Sequence, residues 1–473
     1  MKRKELVIPF IFLLIVLALR LPSIFEPYWY GDEGITLTVG QGLSRGLVLY
    51  KDIADNKTPL LYFLTSFFNY LPLLRGVLLI WVLFSTTIIY VLAKLILNTK
   101  AAIIATITYI IFTSLPVLEG NIANGEIFFH LPNILAILIA WYGFLKQKPK
   151  FYFWSGLFFG WGFLFKVPAV FDFIAVLFFL TIYTLPRFKE LVKNIGFSLL
   201  GFVVPNALVF GYFLWHQAVF DYMEYGFRWN FKYASWGNDL LIPYGQVLLK
   251  GIPILAIFFF LFLLRRRLKP VLTLIILWLV MSFLGSILSA RHYIHYFLQV
   301  VPALSLLIGM FFQHKQRFFY GLVLFLIFLS AFSHTYYLRY PILYYQNFLG
   351  RALGLKETSS YNSFFDPHVN RTYKVADFLR QEKEGPIFVW GDEPLIYALS
   401  RRSPVGRFSA AYNISWQESR KKETLEKLQK TPPVFIFVVK PVFFPFSELD
   451  SLISKNYQFV TQIEDVFVYA KKT

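Results

Sequence analysis

Residues 151–185 read FYFWSGLFFGWGFLFKVPAVFDFIAVLFFLTIYTL, two apolar runs set end to end with Lys166 at their junction. A helix that crosses a bilayer needs about 20 mainly apolar residues, and inside hydrocarbon the backbone must satisfy its own hydrogen bonds. The two runs, 151–166 and 167–185, are therefore predicted as spanning helices. Outward from them, runs of the same kind lie at 6–22, 76–97, 101–118, 127–145, 194–215, 244–264, 270–289, 296–313 and 318–337, which makes about eleven spans in all. The composition agrees. Of the 473 residues 57% are hydrophobic and only 15% charged, and the mean hydropathy of +0.56 excludes an ordinary soluble domain.

The net charge of +19 would suit a nucleic-acid partner if the charge lay on one face, but the basic residues sit in short clusters between apolar runs. That is the distribution of cytoplasmic loops beside anionic lipid. Lys2 to Lys4, Lys94 with Lys100, Lys146 to Lys150, Arg187 to Lys193, Arg265 to Lys269, and Lys315 with Arg317 fall between alternate spans, so all share one side. The expected topology has the N-terminus in the cytoplasm, in a multi-pass protein of the plasma (inner) membrane. Segments 23–75, 119–126, 216–243, 290–295 and everything after about 338 then lie outside. Leu6 to Leu19 lacks a small-residue cleavage site and is expected to stay as the first helix. The stretch 59–74 is apolar but short, and counting it as a span would place Arg265 to Arg267 outside, so it is predicted as an interfacial helix. With no cysteine there is no disulfide framework and no thiolate chemistry.

After residue 338 the texture changes. IFVW (387–390), VFIFVV (434–439) and DVFVYA (465–470) read as strands, and 372–383, 393–400 and 416–430 as helices. The predicted fold is mainly α: a polytopic transmembrane helix bundle, residues 1–338 with a first external loop at 23–75, followed by a small extracytoplasmic α/β domain at 339–473.

The densest polar segment is that first loop, YWYGDEGITLTVGQGLSRGLVLYKDIADNKTPLLYF (28–63). Asp32 and Glu33 follow the first span by about ten residues, close to the interface, where paired acids are candidate general bases. An equally simple reading makes Asp32 the N-cap of a helix with Glu33 in its first turn. The wider pattern of Asp32-Glu33, Gly46, Tyr50, Asp52, Asp55 and Lys57-Thr58-Pro59-Leu60-Leu61-Tyr62 resembles the first external loop of GT-C membrane glycosyltransferases. The branch it resembles contains the protein O-mannosyltransferases and the bacterial aminoarabinose transferases of lipid A, which use a polyprenyl-phosphate sugar as donor. The likeness extends to NIANGEIFFHLPNILAI with Glu126, to the glycine-rich GLFFGWGFLFKVPAV ending at Lys166, to ARHYIHYFLQVVPALSLL with Arg291, His292, His295, Tyr296 and Pro302, and to IFVWGDEPLIYALSRRSPVGRFS in the tail. Glu126 stands where the mannosyltransferases carry Asp, and the tail is too short for the MIR domain of eukaryotic members, so the bacterial branch is the better match.

The resemblance implies Asp32 at the acceptor-binding site and Lys57 at the lipid phosphate. With them, Glu33 and Glu126 are candidate catalytic carboxylates, Lys166 and Arg291 candidate cations for the donor phosphate, and Tyr30, Tyr62, His292, His295 and Tyr296 candidate substrate contacts. The chemistry asks for these types: a carboxylate takes the proton of the incoming hydroxyl, and cations meet the leaving phosphate. Each residue also has a plainer reading. Lys57 suits an interfacial lysine, Arg291 a helix-end snorkeller, Glu126 an acid favoured by a helix N-terminus, and Lys166 a lysine in a short loop between span ends. Asp221, Glu224, Arg228, Trp229, Lys232, Tyr233 and Trp236 suit either acceptor binding or a solvated interfacial loop. The two histidines lack a third ligand in view, so no metal site is assigned, although a divalent metal is left open. The expected function is inverting transfer of a sugar from a polyprenyl-phosphate carrier to a glycan, lipid or protein acceptor outside the membrane, with no nucleotide cofactor and no nucleic acid. The alternatives are a transporter or flippase of a lipid-linked sugar, which should show repeated halves or broken helices with acids at mid-membrane, and an envelope scaffold.

Overall fold

The computed structural model describes residues 3–232, 234, 251–289, 291, 293–313 and 335–472. Packing divides the chain into two compact units. One comprises Met1–Ser23, Arg75–Tyr212 and Arg228–Tyr344; the other comprises Ile24–Leu74, Phe213–Phe227 and Tyr345–Thr473. The first loop thus packs with the tail, more than 300 residues away in sequence.

In chain order the helices begin α1 (Arg3–Ile24), α2 (Gly31–Ser44), α3 (Pro59–Phe67), α4 (Leu71–Ile96), α5 (Thr99–Ser114), α6 (Gly125–Lys146), α7 (Lys150–Phe165), α8 (Val170–Thr184) and α9 (Phe188–Trp215). Gly251–Leu264, Pro270–Ile287 and Val301–Phe311 follow. Among the described residues seven segments are long and apolar enough to cross a membrane: Val7–Ile24, Leu71–Ile96, Gly125–Lys146, Val167–Thr184, Phe188–Trp215, Pro270–Ile287 and Ile294–Phe311. Thr99–Ser114 and Ile252–Leu264 are shorter apolar helices. The predicted run at 318–337, up to residue 334, and residues 244–250 of the run at 244–264 lie outside the described residues. The protein is a mainly α, multi-pass membrane protein.

The junction in the opening stretch is a real break. Lys166 takes an extended conformation (φ −162°, ψ 135°), a 3-10 turn covers Val167–Ala169, and α8 starts at Val170. Pro168 explains it: without an N–H it cannot continue α7, but it is tolerated in the first turn of a new helix. At 16 residues α7 rises only about 24 Å, short of the full hydrocarbon thickness. α7 also lies directly on α9. A β-carbon on Gly156 would run into the carbonyl oxygen of Ser198, one on Gly160 would sit 2.6 Å from the Phe202 oxygen, and one on Gly201 would run into the Phe153 oxygen. Small residues spaced this way let two backbones approach where lipid gives no hydrophobic drive. Two buried arginines tie helix ends: Arg20 Nη1 donates to the carbonyls of Thr113 (2.7 Å) and Gly120 (2.8 Å), and Arg75 Nη1 to that of Ser23 (2.8 Å).

The second unit holds a four-stranded sheet of β1 (Ile387–Trp390), β2 (Phe435–Val439), β3 (Tyr457–Ile463) and β4 (Val466–Lys471) in the order β1-β2-β4-β3. β1 and β2 are parallel and every residue in both is buried, as expected when helices cover the faces. Both β4 pairings are antiparallel. Helices Val369–Gln381, Pro394–Ser400 and Glu418–Lys430 match the three predicted. β3 and the helix Ser447–Asn456 were not predicted, because β3 is a mostly exposed edge with a bulge beside Thr461 and the helix buries only Leu449, Leu452 and Ile453. α2 runs between the nine-residue α3 and the tail helix Pro394–Ser400. A β-carbon on Gly40 would lie 2.6 Å from Thr65 Oγ1, and one on Gly34 2.9 Å from Leu395.

The glycine seam yields a controlled comparison between positions in the α7–α9 contact and positions outside it on α9. Gly156→Ala and Gly201→Ala should each lower the thermal midpoint of the purified protein, by about 1–3 kcal/mol of overpacking. Gly196→Ala and Gly211→Ala, which meet nothing within 4 Å, should hold or raise it, since helical Gly costs about 1 kcal/mol against Ala. Equal responses from all four would show that α7 and α9 do not touch there.

Candidate active site

Tyr30 is the N-cap of α2, so Asp32 and Glu33 occupy its first turn, where the helix N-terminus favours acids. The N-cap role weighed for Asp32 therefore falls to its neighbour. The Tyr30 side chain makes no capping bond, and its ring meets Trp29 edge-on at 5.2 Å. Glu33 is buried.

Lys57 precedes α3, whose Pro59 sits in the first turn. Its Nζ lies 3.2 Å from Asp32 Oδ2 and 3.6 Å from Asp55 Oδ2. Tyr62, one turn into α3, donates its hydroxyl to Asp55 Oδ2 at 2.6 Å and accepts from the Lys57 N–H at 3.3 Å. Burial, then the charge of Asp55, pushes the Tyr62 phenol well above its ordinary value, so it stays a donor. Tyr50 donates its hydroxyl to the Lys57 carbonyl at 2.5 Å.

Tyr50 is held unusually. Its φ is +66°, a left-handed conformation rare for a bulky residue. The surroundings dictate it: the side chain is fully buried, the ring stacks on Tyr222 (5.8 Å) and packs against Phe213 (5.4 Å), its N–H donates to Ile53 O at 2.7 Å, and its carbonyl accepts from Arg407 at 2.8 Å. Local strain of this kind persists only where neighbours over-determine it.

Exposure separates the two acids at Lys57. The Asp55 side chain is 1% exposed and bonded by Tyr62, whereas Asp32 is 38% exposed. Asp55 is therefore held in place beside the lysine, and Asp32 is the one of the two that reaches solvent.

A second polar cluster lies in the first unit. Asn124 precedes α6, and Glu126 sits buried in its first turn. Gly125 permits this start, because a β-carbon there would fall 2.8 Å from the carbonyl of Phe165 at the end of α7. Lys166, at the break after α7, pairs directly with Glu126 and places its ammonium 4.5 Å from the centre of the Tyr296 ring. His295 Nδ1 donates to Glu119 Oε2 at 2.8 Å, while its Nε2 lies 3.9 Å from Glu126 Oε1, beyond hydrogen-bond reach. Glu119 has a φ of +54°, a second left-handed non-glycine beside a polar site. Arg291 lies between the helix Pro270–Ile287 and the 3-10 turn Ile294–Val300, half-buried. His292 is outside the described residues.

Behind Lys166, the carboxylate of Asp172 accepts from Asn133 Nδ2 (2.8 Å), Ser282 Oγ (2.8 Å) and Gln299 Nε2 (3.2 Å). Asn133 and Gln299 also donate to the carbonyls of Ala169 and Pro168, so the network holds the interrupted backbone in place.

Sequence reasoning did not assign Asp55, Glu119 or Asp172 a role. Each left a signal: Asp55 stands in the loop pattern, Glu119 opens the segment that contains Glu126, and Asp172 is an acid inside an apolar run. Asp221, weighed for acceptor binding, is instead paired with Arg407 at 2.5 Å. Tyr233 and Trp236 lie outside the described residues. Among the described residues no group of three or more His, Cys, Asp or Glu is arranged to hold a metal ion.

The profile of the dolichyl-phosphate-mannose-protein mannosyltransferase family matches residues 56–215. That of the Ccs4 C-terminal domain family, named for a competence-induced protein, matches residues 370–472. No curated protein sequence matches the chain. Among solved structures, ArnT from Cupriavidus metallidurans bound to undecaprenyl phosphate superposes with a TM-score of 0.59 at 13% identity, over 99% of this chain and 98% of that one. Its apo form gives 0.61 at 13% identity, over 97% of each chain. The oligosaccharyltransferase AglB from Archaeoglobus fulgidus, with an inhibitory peptide and a dolichol-phosphate, gives 0.50 at 13% identity, over 100% of this chain and 74% of that one. At this identity the likeness is one of fold, and it extends over the full chain. The chain has the fold of the GT-C membrane glycosyltransferases and carries the sequence pattern of their mannosyltransferase family from the end of its first loop through α9.

Proposed function

We propose that the protein transfers a sugar from a polyprenyl-phosphate carrier to an acceptor hydroxyl on the extracytoplasmic face. The observation that carries this reading is the 3.2 Å pairing of the solvent-reaching Asp32 with Lys57. It sets a proton acceptor beside a cation, the two charges that glycosyl transfer from a phosphate requires. The acceptor oxygen attacks the anomeric carbon, its proton passes to Asp32, and the anomeric C–O bond breaks with its electron pair leaving on the lipid phosphate. Lys57 stabilises that phosphate. One displacement inverts the anomeric centre. That ArnT was crystallised with undecaprenyl phosphate and AglB solved with dolichol-phosphate supports a lipid-phosphate donor here.

In the first unit the charges that the sequence pattern singles out are the Glu126–Lys166 pair, of which Glu126 is the buried member, and Arg291. Glu126 and Lys166 neutralise each other, so their net field is small, and Glu126 is assigned to a substrate hydroxyl. Arg291 is assigned to a donor phosphate oxygen.

Asp32→Asn keeps shape and most hydrogen bonding but cannot take the proton. Label transfer from a set of polyprenyl-phosphate sugars into envelope material should fall about 100- to 10,000-fold with the thermal midpoint unchanged, and Glu33→Gln serves as comparison. Full activity in Asp32→Asn would remove the base, and absence of transfer by the wild type from every donor would favour the transporter alternative.

Lys166→Met leaves Glu126 as an uncompensated buried charge and should cost about 3–5 kcal/mol of stability. Glu126→Gln combined with Lys166→Met should restore the thermal midpoint but not the transfer rate; recovery of both would make the pair purely structural.

The orientation is tested by reporter fusions. One after Arg267 should read as cytoplasmic and one at Thr473 as extracytoplasmic, because basic clusters stay inside; a cytoplasmic C-terminus would reverse the face on which transfer is proposed.

A further inference from the structure

In the first unit the last turns of α4 and α6 and the start of α7 border a groove of about 510 Å³. Its lining is Val91, Lys94 and Leu95 of α4, Leu138, Ile139 and Tyr142 of α6, and Phe151 of α7. Residues three and four apart share a helix face, so each helix offers one apolar stripe here. The α6–α7 hairpin is closed tightly at this end. A β-carbon on Gly143 would lie 2.9 Å from that of Phe151, and the rings of Tyr142 and Phe151 meet edge-on at 5.0 Å. Val91, Leu95 and Tyr142 are exposed, so the groove opens sideways from two helices long and apolar enough to span.

Three ammoniums stand around this apolar groove. Lys94 is part of its wall, Lys146 Nζ lies 5.6 Å from the centre of the Tyr142 ring, and Lys150 Nζ lies 5.5 Å from that of Phe151. All three lysines are exposed, and none forms an ion pair with a carboxylate among the described residues; Lys94 donates instead to Thr99 Oγ1 at 2.7 Å. Arg187, which reaches Gln147 in the loop between α6 and α7, already holds the carboxylate of Glu190 at 3.0 Å. The groove therefore carries uncompensated positive charge beside an apolar floor.

The combination selects one occupant. A peptide would bring backbone N–H and C=O groups that an apolar lining cannot satisfy. A small anion would meet the lysines and leave the groove unfilled, and an uncharged lipid would fill the groove and leave the lysines without an anion. A second copy of the chain on the same face would set lysines against lysines, because a two-fold contact joins like patches. An anionic phospholipid meets both requirements, and basic pockets between spanning helices are sites for such headgroups. The volume falls within the roughly 300–1,000 Å³ of sites that enclose drug-sized molecules, room for a stretch of one acyl chain.

We infer that this groove binds one anionic glycerophospholipid, with its headgroup phosphate among Lys94, Lys146 and Lys150 and an acyl chain along Val91, Leu95, Leu138 and Ile139. On the topology expected from the basic clusters, the lipid belongs to the cytoplasmic leaflet. Glu126 and Lys146 stand at opposite ends of the 22-residue α6, about 30 Å apart, so this lipid is separate from the proposed donor and the inference does not depend on transfer.

The test is native mass spectrometry of the full chain released from phosphatidylcholine nanodiscs that contain increasing phosphatidylglycerol. One phosphatidylglycerol per monomer should be retained, saturably, with no matching retention of phosphatidylcholine. Lys94→Gln, Lys146→Gln and Lys150→Gln combined should weaken retention about 10- to 100-fold, from the attraction of each lysine for anionic lipid. Val91→Trp, which fills the groove and leaves every lysine in place, should weaken it at least about tenfold, as loss of the acyl contact implies. Both variants change exposed residues, so their thermal midpoints in pure phosphatidylcholine should equal that of the wild type. Lys193→Gln, Arg266→Gln and Lys269→Gln combined remove the same charge from other basic clusters and should leave retention intact. An equal loss in that control would reduce the effect to the general field of the basic face and overturn the inference. So would retention unaffected by Val91→Trp, equal retention of the two phospholipids, a dimer that carries no lipid, or tighter retention of added undecaprenyl phosphate, which would give the groove to the carrier.

Discussion

A single ammonium, that of Lys57, faces two carboxylates of opposite character, and much of the second unit serves to keep it there. Asp55 is buried and hydrogen-bonded, so its position is fixed by Tyr62; Asp32 is open to solvent on the first turn of α2. Were Asp55 lost, the lysine would be left with Asp32, the more exposed of its two partners. Tyr50 closes the arrangement from behind through the Lys57 carbonyl, at the expense of a left-handed backbone.

The first unit solves a related problem inside the bilayer. A break in a membrane helix exposes backbone groups that hydrocarbon cannot satisfy. Here the carbonyls of Pro168 and Ala169 are met by Gln299 and Asn133, and both amides are themselves anchored on Asp172. The break then presents Lys166 to Glu126 across the close contact that Gly125 permits. The lysine, the glycine-rich helix before it and the proline after it form one device.

What was legible in the sequence followed from strong local constraints. Apolar runs announce themselves because lipid tolerates nothing else, and the strands at 387–390 and 434–439 stood out because both faces are buried. Asp32, Lys57 and Tyr62 were singled out from a loop pattern, and the structure gathers them; Glu126, Lys166, His295 and Tyr296 gather likewise in the first unit. What was not legible is pairing over long sequence distances. Nothing local marks Glu119 as the partner of His295, 176 positions away, or Asp221 as the partner of a tail arginine. The edge strand β3 was missed for a different reason: it exposes Phe459 and Val460, so it lacks a clean alternation of buried and exposed residues.

The long-range pairing also changes what the tail is. Arg407 donates to the Tyr50 carbonyl and to the carboxylates of Asp221 and Glu423, and lies 5.3 Å from the centre of the Tyr225 ring. The first loop, the short segment 213–227 and the tail converge on that one guanidinium. The Ala54 N–H donates to the Arg407 carbonyl, Gln41 donates to the Ala398 carbonyl, and Gly34 lets Leu395 lie against α2. A guanidinium with three acceptors from three chain segments cannot be satisfied by any one of them alone, and its desolvation is offset only when all are present. The tail is therefore no appended module. It completes the wall on which Tyr50 rests, and Tyr50 in turn fixes Lys57, so a group some 350 residues downstream helps set the position of the cation nearest the proposed base.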